Sequence, residues 1–364
     1  MRSEREAARR AFLARAGLSE AAREALAGDA STRRYERVRP SQSAPLIFMD
    51  QPPSVETKPC PPGATPAERM ALGYNAMARL AAGRVEAFVA CAGYLRGLGL
   101  SAPNVVYAEP GAGFALLEDL GDDLFAGLTA AGADERPLYD GAIDALARLH
   151  AETPPDRLVA GDADWPLLVY DDLALKTGGD QLPQWLPKFA LGMDVDAAAL
   201  SEWEAIWAPI RARGEAGATV FCHRDYHAEN LLWLPGRDGP ARVGLLDFQD
   251  ALRANPAWDM SMLLHDARRD VDPELEAAAL ARYFTLRPGV DREAFLADFH
   301  ALGALNICRI LGIFARLVVR DSKPRYAAFM PRLWRYLDRC VADPGLAGLG
   351  DWLERHAPAE VRAA

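Results

Sequence analysis

The fold is decided by His223-Arg224-Asp225-Tyr226-His227-Ala228-Glu229-Asn230 and, further along, by Leu245-Leu246-Asp247-Phe248. These motifs place an asparagine five residues after Asp225 and a second aspartate twenty-two residues after it. In enzymes that transfer a phosphoryl group, such residues at this spacing accept the proton of the attacking hydroxyl and hold the magnesium ions that bridge the ATP phosphates. The pattern therefore predicts Asp225 as the catalytic base and Asn230 and Asp247 as the metal ligands.

Short apolar runs flank both motifs. Phe221 and Cys222 precede the first motif, residues 231–233 follow it, and residues 243–246 lead into Asp247. Runs of this length, separated by a turn rich in glycine and proline at 235–240, are typical of short buried strands. We expect a strand, a catalytic loop and a hairpin that returns Asp247 to the side of that loop.

Two histidines in the first motif allow a different interpretation. His223 and His227 are four residues apart, which is the spacing of a zinc-binding pair on a helix. The flanking runs predict strands rather than a helix, and the glutamate of an HExxH motif is absent. We therefore interpret His223 as a residue that braces the catalytic loop. Arg224 either eases charge near the phosphates or is structural.

These residues resemble the aminoglycoside phosphotransferase and choline kinase branch of the protein-kinase-like superfamily. Protein kinases carry a glycine where this chain has Gln249, and that branch commonly lacks it. Asp259 lies in a stretch that resembles the one after the metal aspartate in the family, where this residue ties the catalytic loop. The resemblance implies an α+β fold with two lobes, ATP and Mg²⁺ as cofactors, a small sheet-rich N-lobe at 1–118 and a larger, mostly helical C-lobe at 119–364.

Four further segments narrow the resemblance to bacterial sugar 1-kinases. They are residues 28–38, 46–53, 116–121 and 312–326. Enzymes of that group phosphorylate the anomeric hydroxyl of N-acetylmuramate and N-acetylglucosamine during peptidoglycan recycling. The resemblance therefore implies an ATP-dependent kinase that acts on one or both of these amino sugars.

One expected cation is missing from the predicted nucleotide site. Protein kinases pair a strand lysine with the ATP phosphates, but the matching strand at 46–50 has no lysine. We expect Arg33 or Arg34 to replace it, because the guanidinium fork suits phosphate oxygens. The hydroxyl and backbone N–H groups of Ser31 and Thr32 are expected to cradle phosphate. The alternative is that the two arginines are exposed strand residues.

The other nucleotide contacts are predicted from the position of the hinge and of one helix. The backbone at Glu118 and Leu120, between the lobes, is expected to bind adenine. Glu86 lies in the first turn of a helix predicted at 83–98, where kinases present a glutamate to the ATP-binding lysine. It could equally be a solvated glutamate that the helix dipole favours.

The acceptor site is expected on helices of the C-lobe. Asn306, Arg309 and Arg316 lie close to or within the C-terminal segment that resembles the sugar 1-kinases. The lactyl carboxylate of N-acetylmuramate calls for a cation, which Arg309 or Arg316 could supply. Arg316 could instead pair with Asp321 for stability alone.

Composition limits the class of protein. The 364 residues suffice for two domains, and the net charge of −10 argues against a general nucleic-acid binder. The five cysteines are scattered and form no CxxC motif, which fits reduced cytoplasmic thiols. No uncharged apolar stretch approaches eighteen residues, so we expect no membrane span. We expect a cytoplasmic protein whose partner is a small sugar, while its oligomeric state stays open.

Helical periodicity at the N-terminus predicts one or two short helices over residues 3–27.

Two other functions also stay open. A kinase of another small acceptor, such as an aminoglycoside, an amino alcohol or a different sugar, would use Asp225 and Asp247 in the same way. A non-catalytic ATP-binding protein is the second, and the intact set of Asp225, Asn230 and Asp247 argues against it. A protein kinase is disfavoured by the missing glycine and activation segment.

Overall fold

The computed structural model describes residues 2–26, 33–52 and 58–363 of the chain. The strands are β1 Ala22–Ala25, β2 Arg34–Arg39, β3 Leu46–Asp50, β4 Val105–Glu109, β5 Phe114–Glu118, β6 Arg157–Ala160, β7 Ala163–Pro166, β8 Val220–Cys222, β9 Leu231–Trp233, β10 Val243–Leu245 and β11 Leu252–Ala254. The helices are α1 Arg2–Arg15, α2 Pro66–Leu72, α3 Tyr74–Met77, α4 Val85–Gly97, α5 Phe125–Ala130, α6 Glu135–Leu149, α7 Asp172–Gly179, α8 Gln181–Leu191, α9 Ala197–Ala216, α10 Ala257–Leu264, α11 Pro273–Leu286, α12 Arg292–Val319, α13 Met330–Val341, α14 Ala347–His356 and α15 Ala359–Arg362.

The N-terminal part is built on an antiparallel sheet with the strand order β1-β2-β3-β5-β4. Alternate residues of a strand face opposite sides of a sheet, and β5 is buried on both sides. The cluster on the α1 side consists of Phe12, Leu13, Val38, Phe48, Phe114 and Leu116. Ala115 and Leu117, which alternate with the last two, belong to the main core, which α4 also joins. The sheet is therefore held between α1 and α4.

The prediction for residues 3–27 is wrong in its second half. The chain forms α1 as expected, but Ala22–Ala25 is a strand, with Ala22 opposite Arg39 and Ala25 opposite Glu36. All four residues of this edge strand are exposed. Pairing with β2 therefore outweighs the helix propensity of alanine, glutamate and arginine, since propensity is only a weak preference that tertiary contacts override.

The C-terminal part is mostly helical and is organised around α12, which packs against α7, α8, α10 and α13. At Gly312 the helices α12 and α8 approach so closely that a Cβ atom on this glycine would lie 2.1 Å from the carbonyl carbon of Gln181. Among the described residues, α12 alone has the length and composition to cross a membrane, and 61% of its most apolar window is buried inside the protein. Such burial is what a core helix shows.

The catalytic segment has the predicted order of strands and loops. β8 pairs with β11, and β9 pairs with β10, so the two motifs lie on neighbouring loops. The predicted α+β architecture, with a sheet-rich N-terminal part and a mostly helical C-terminal part, is confirmed. The boundary at 118/119, where β5 ends, stays a prediction.

Candidate active site

The loop between β8 and β9 holds four of the predicted site residues, among them the predicted base Asp225 and the predicted metal ligand Asn230. Asp225 is half-buried, and its carbonyl oxygen accepts hydrogen bonds from the Asn230 side-chain amide at 2.9 Å and from the His227 N–H at 3.1 Å. The Leu246 N–H donates to the Asn230 carbonyl at 2.9 Å, which joins this loop to the segment that carries Asp247. Since the Asn230 amide nitrogen is used, its oxygen is the atom left for a cation.

Asp259, at the start of α10, fixes the first half of this loop. Its fully buried carboxylate accepts from the backbone N–H groups of His223 at 2.6 Å and Arg224 at 2.8 Å, and from the Cys222 thiol at 3.2 Å. Burial raises the pKa of Asp259 to about 6, although these bonds oppose the rise. Arg224 has a φ of 79°, a left-handed conformation that is costly for a residue with a Cβ. Asp259 thus holds a strained turn just before Asp225.

Arg224 links the catalytic loop to the segment before α4. Its buried guanidinium donates to the carbonyl groups of Ala78 at 2.9 Å and Arg79 at 3.3 Å, and lies 5.0 Å from the ring of Tyr170. These contacts are those of a structural residue, which is one of the two roles predicted for it.

His223 is enclosed by aromatic rings. Its ring centre lies 5.4 Å from that of Tyr226 and 6.3 Å from that of Phe248, and the side chain is fully buried. Burial lowers the pKa of His223 to about 4, so the imidazole is neutral near pH 7. This placement suits a residue that braces the loop.

Asp247 has both an unusual backbone and a positively charged neighbour. Its φ is 61°. The Arg33 guanidinium donates to Asp247 Oδ1 at 2.6 Å and to the Gln249 side-chain oxygen at 2.7 Å, while the Gln249 amide donates to the same Asp247 oxygen at 3.1 Å. Burial alone would raise the pKa of Asp247, but Arg33 and Gln249 outweigh it and hold the pKa below its ordinary value. The ionised carboxylate and the Asn230 amide oxygen are the oxygen ligands that Mg²⁺ prefers.

The remaining predicted nucleotide residues lie in different settings. Ser31 and Thr32 fall outside the described residues. Arg34 begins β2 opposite Asp50, with an exposed side chain. Glu86 pairs with the neighbouring Arg84 at 2.7 Å.

The hinge follows directly on β5. Glu118 is the last residue of this strand, and its side chain accepts from Arg237 at 2.5 Å. Its backbone N–H donates to the Asn104 carbonyl at 2.8 Å. Leu120, two residues later, is half-buried. The strand thus delivers the hinge backbone to the boundary between the sheet and the helical part of the chain.

A cavity of about 140 Å³ opens beside Asp225. Its lining consists of Asp225, His227, Met262, His265, Asp266, Ala267, Arg268, Arg309, Ile310, Ile313 and Phe314. Asn306 stands behind this wall: it is buried, donates to Met262 Sδ at 2.7 Å and accepts from Arg309 at 3.0 Å. Arg316 is not in the lining, and it donates to Gln181 at 3.3 Å. Of the three predicted acceptor residues, only Arg309 lines the cavity.

Sequence reasoning missed several of these residues. Asp266 and Arg268 line the cavity, and Arg268 pairs with Glu229 of the catalytic loop at 2.7 Å. The sequence carried a signal for them, because they lie within four residues of the largely apolar run 260–264, much as Asp247 follows 243–246. Gln249 was noted only as a departure from the kinase motif, yet it bonds both Arg33 and Asp247.

Comparisons with known proteins show the family to which the chain belongs. Residues 22–297 match the model of the phosphotransferase enzyme family. The chain is 67% identical over 360 residues to the N-acetylmuramate/N-acetylglucosamine kinase of Caulobacter vibrioides, with 99% of each chain covered.

Two solved structures share the fold. One is a choline/ethanolamine kinase family protein from Mesorhizobium loti, with a TM-score of 0.55, 16% identity and 100% of each chain covered. The other is an ADP-bound aminoglycoside phosphotransferase, with a TM-score of 0.52, 15% identity and 91% of this chain and 96% of that chain covered. At such identities the likeness concerns the fold alone. The family is shown by the match over residues 22–297 and by the 67% identity to the Caulobacter vibrioides kinase. On this ground the chain belongs to the phosphotransferase enzyme family, and it is a kinase that uses ATP.

Proposed function

We propose that this kinase transfers the γ-phosphoryl group of ATP to the anomeric hydroxyl of N-acetylmuramate, N-acetylglucosamine or both. The observation that carries the proposal is the 67% identity, over 99% of both chains, to a kinase that bears the names of these two sugars. The reaction would belong to peptidoglycan recycling in the cytoplasm. The cavity beside Asp225 favours a small acceptor over a protein segment, since its volume of about 140 Å³ has room for one ring-sized part of the acceptor.

Asp225 is proposed as the catalytic residue. It borders the cavity, so a sugar there can present its C1 hydroxyl to the carboxylate. Asp225 orients that hydroxyl and accepts its proton as the phosphoryl group is transferred in line. Asp259 and His223 keep the loop in position through buried contacts and do not touch the reacting atoms.

Asp247 and Asn230 are proposed as the magnesium ligands, and their oxygen atoms fit this role. When bound, Mg²⁺ supplies positive charge against the phosphate oxygens. Asp247 remains ionised because Arg33 and Gln249 hold its pKa low. The site lies between an N-lobe at 1–118 and a C-lobe at 119–364.

Arg33 is proposed as the replacement for the missing strand lysine. It reaches Asp247 from the N-terminal part of the chain, while Arg34 beside it is exposed. With ATP present, its fork pairs with phosphate oxygens as well as with Asp247. Ser31, Thr32 and Arg34 are proposed as further phosphate contacts, with the backbone of Glu118 and Leu120 holding adenine.

The test is magnesium-dependent ADP release with a panel of acceptors. The panel contains N-acetylmuramate, N-acetylglucosamine, 1-O-methyl N-acetylglucosamine, choline and kanamycin. We expect turnover of at least one free sugar and none of the 1-O-methyl compound, which lacks the anomeric hydroxyl. Turnover of choline or kanamycin alone would keep the kinase site and discard the proposed acceptor. Turnover without added magnesium, in the presence of a chelator, would contradict the metal ligands.

The matched variant is Asp225→Asn, which keeps the shape of the side chain and removes its basicity. We expect kcat to fall by about 10²- to 10⁴-fold, while ADP binding, followed by calorimetry, stays within about threefold because Asp225 faces the acceptor. Unchanged turnover would show that Asp225 is not the base.

A further inference from the structure

The cavity beside Asp225 contains charges of both signs. Its lining includes the carboxylates of Asp225 and Asp266 and the guanidinium groups of Arg268 and Arg309. Burial lowers the pKa of His265, also in the lining, to about 3, so this imidazole is neutral. Which of these groups can recognise an acceptor depends on the partners that each already has.

Asp266 and Arg268 are already engaged by the protein. Asp266 is 2% exposed, and its carboxylate accepts from the N–H groups of Ala228 at 3.2 Å and of Arg268 at 2.9 Å. The guanidinium of Arg268 pairs with Glu229 at 2.7 Å. These two residues therefore connect the end of α10 to the catalytic loop. Their charged groups are already bonded to protein groups, so they are poorly placed to bind a ligand.

Arg309 differs because no carboxylate of the described residues lies within ion-pair distance of it. Within the described residues, Arg309 donates one hydrogen bond, to the neutral side-chain oxygen of Asn306 at 3.0 Å. Asn306 is itself fixed, since it is buried and donates to Met262. The arginine side chain packs against Gly178, where a Cβ atom would lie 3.1 Å from Arg309 Cδ. The guanidinium is thus held in place with most of its five donors unused.

The surroundings of Arg309 favour an anion. Ile310, Ile313 and Phe314 lie on the same side of α12 and form an apolar wall of the cavity. A charged pair beside such a wall is screened less than one in water, and an arginine binds a carboxylate with two parallel bonds. A polycationic acceptor would instead meet the positive charge of Arg309.

We infer that Arg309 binds a carboxylate on the acceptor and thereby selects N-acetylmuramate over N-acetylglucosamine. This inference rests on the proposed function. The two sugars differ by one lactyl ether group, so only N-acetylmuramate brings a negative charge into the cavity. Asn306 is the positioning residue that aims the guanidinium.

The test compares Arg309→Met with the wild-type protein on both sugars. Methionine keeps the packing against Gly178 and removes the charge. We expect KM for N-acetylmuramate to rise by about 10- to 100-fold, which corresponds to the loss of a charge-assisted hydrogen-bonded contact. The kcat/KM for N-acetylglucosamine should stay within about threefold, and this retained activity also shows that the variant folds.

Two variants and one substrate serve as controls. Arg309→Lys keeps the charge without the fork and should recover part of the affinity for N-acetylmuramate. Arg320→Met, at the end of α12, removes an exposed arginine that pairs with Asp321 and should leave both sugars unchanged. The methyl ester of N-acetylmuramate lacks the charge, so the wild-type and Arg309→Met proteins should phosphorylate it equally well.

The outcomes separate this inference from the proposed function. Equal losses on both sugars, or no loss on N-acetylmuramate, would overturn the role of Arg309 and leave the proposed function standing. Turnover of N-acetylglucosamine alone by the wild-type protein would also overturn it. If the wild-type protein phosphorylated neither sugar, the proposed function and the inference would both be wrong.

Discussion

A single buried carboxylate holds the turn that precedes the proposed base. Asp259 accepts three hydrogen bonds and has no exposed surface. In Asp259→Asn, one oxygen becomes an NH₂ group that faces backbone N–H donors, so at least one bond is lost and two donors oppose each other. We expect a loss of about 2–3 kcal/mol in unfolding free energy and a fall in kcat, measured by urea unfolding and by ADP release.

The control for this variant is Asp291→Asn. Asp291 caps α12 by accepting from Glu293 and Ala294, and asparagine caps a helix about as well as aspartate. Its unfolding free energy should change by less than about 0.5 kcal/mol. Equal losses in the two variants would mean that the catalytic turn does not depend on Asp259.

Arg33 is the second residue whose role can be tested by itself. Removing its charge in Arg33→Met takes away the proposed phosphate contact and the bond to Asp247. We expect KM for ATP to rise by about 10-fold or more, measured at saturating sugar. Arg39→Met, on the exposed end of β2 where Arg39 pairs with Glu24, should change KM by less than about twofold. An unchanged KM for ATP in Arg33→Met would show that Arg33 does not replace the missing strand lysine.

At the scale of elements, the segment α2–α3 is bound to the helical part through the buried Arg69 and through Arg79, which both pair with Asp171. Arg69 is 1% exposed, pairs with Asp171 before α7, and donates to the carbonyl groups of Ala76 and Met77. The same segment receives Arg224 from the catalytic loop. Residues 66–79 are therefore part of the support of the active site.

Arg69→Met should destabilise the protein by about 2–3 kcal/mol, because the carbonyl groups of Ala76 and Met77 lose a buried donor while Asp171 keeps its pairing with Arg79. Urea unfolding measures the loss, and limited proteolysis should show faster cleavage within residues 58–84. Arg84→Met lies next to the same segment, but Arg84 is half exposed and, among the described residues, pairs only with Glu86. It should cost less than about 1 kcal/mol. If Arg69→Met lost no more unfolding free energy than Arg84→Met, Arg69 would not be what binds the segment α2–α3 to the helical part.

The sequence predicted some helices and strands correctly and others wrongly. The helix expected at 83–98 is α4 and the strands around the catalytic loop are β8, β9 and β10, because a strong local pattern agrees there with burial. The helix expected up to residue 27 is wrong at β1, where an exposed strand adds to the sheet edge. Sequence periodicity reports which residues are buried, so it says little about an element with no buried residue.

At the scale of the whole molecule, buried histidines make stability depend on pH. Burial lowers the pKa of His150 and His265 to about 3 and that of His223 to about 4. Below about pH 6.5 the unfolded chain binds protons at these positions while the folded protein does not, so stability falls as the pH falls. Asp259 acts in the opposite direction, since its pKa of about 6 in the folded state lies above its ordinary value of 3.8.

Between pH 6 and 4 these groups leave a difference of about two protons, or about 3 kcal/mol per pH unit. We expect the urea midpoint to be nearly constant above pH 7 and to fall steeply below pH 6. His150→Gln should reduce the slope by about one proton, since glutamine does not titrate. Equal midpoints at pH 7.5 and 5 would contradict the burial of neutral histidines.

The sequence by itself determined the chemistry of the chain. Spacing predicted Asp225, Asn230 and Asp247 as the site residues, because short strands on both sides of a loop leave few ways to arrange the residues between them, and their roles stay predictions. Tertiary structure alone decided which arginine lines the cavity. Arg309 and Arg316 are seven residues apart and share one face of α12, yet they lie about 10 Å apart along its axis. Arg309 therefore lines the cavity beside the catalytic loop and Arg316 contacts Gln181, a difference that is set by the elements packed against α12.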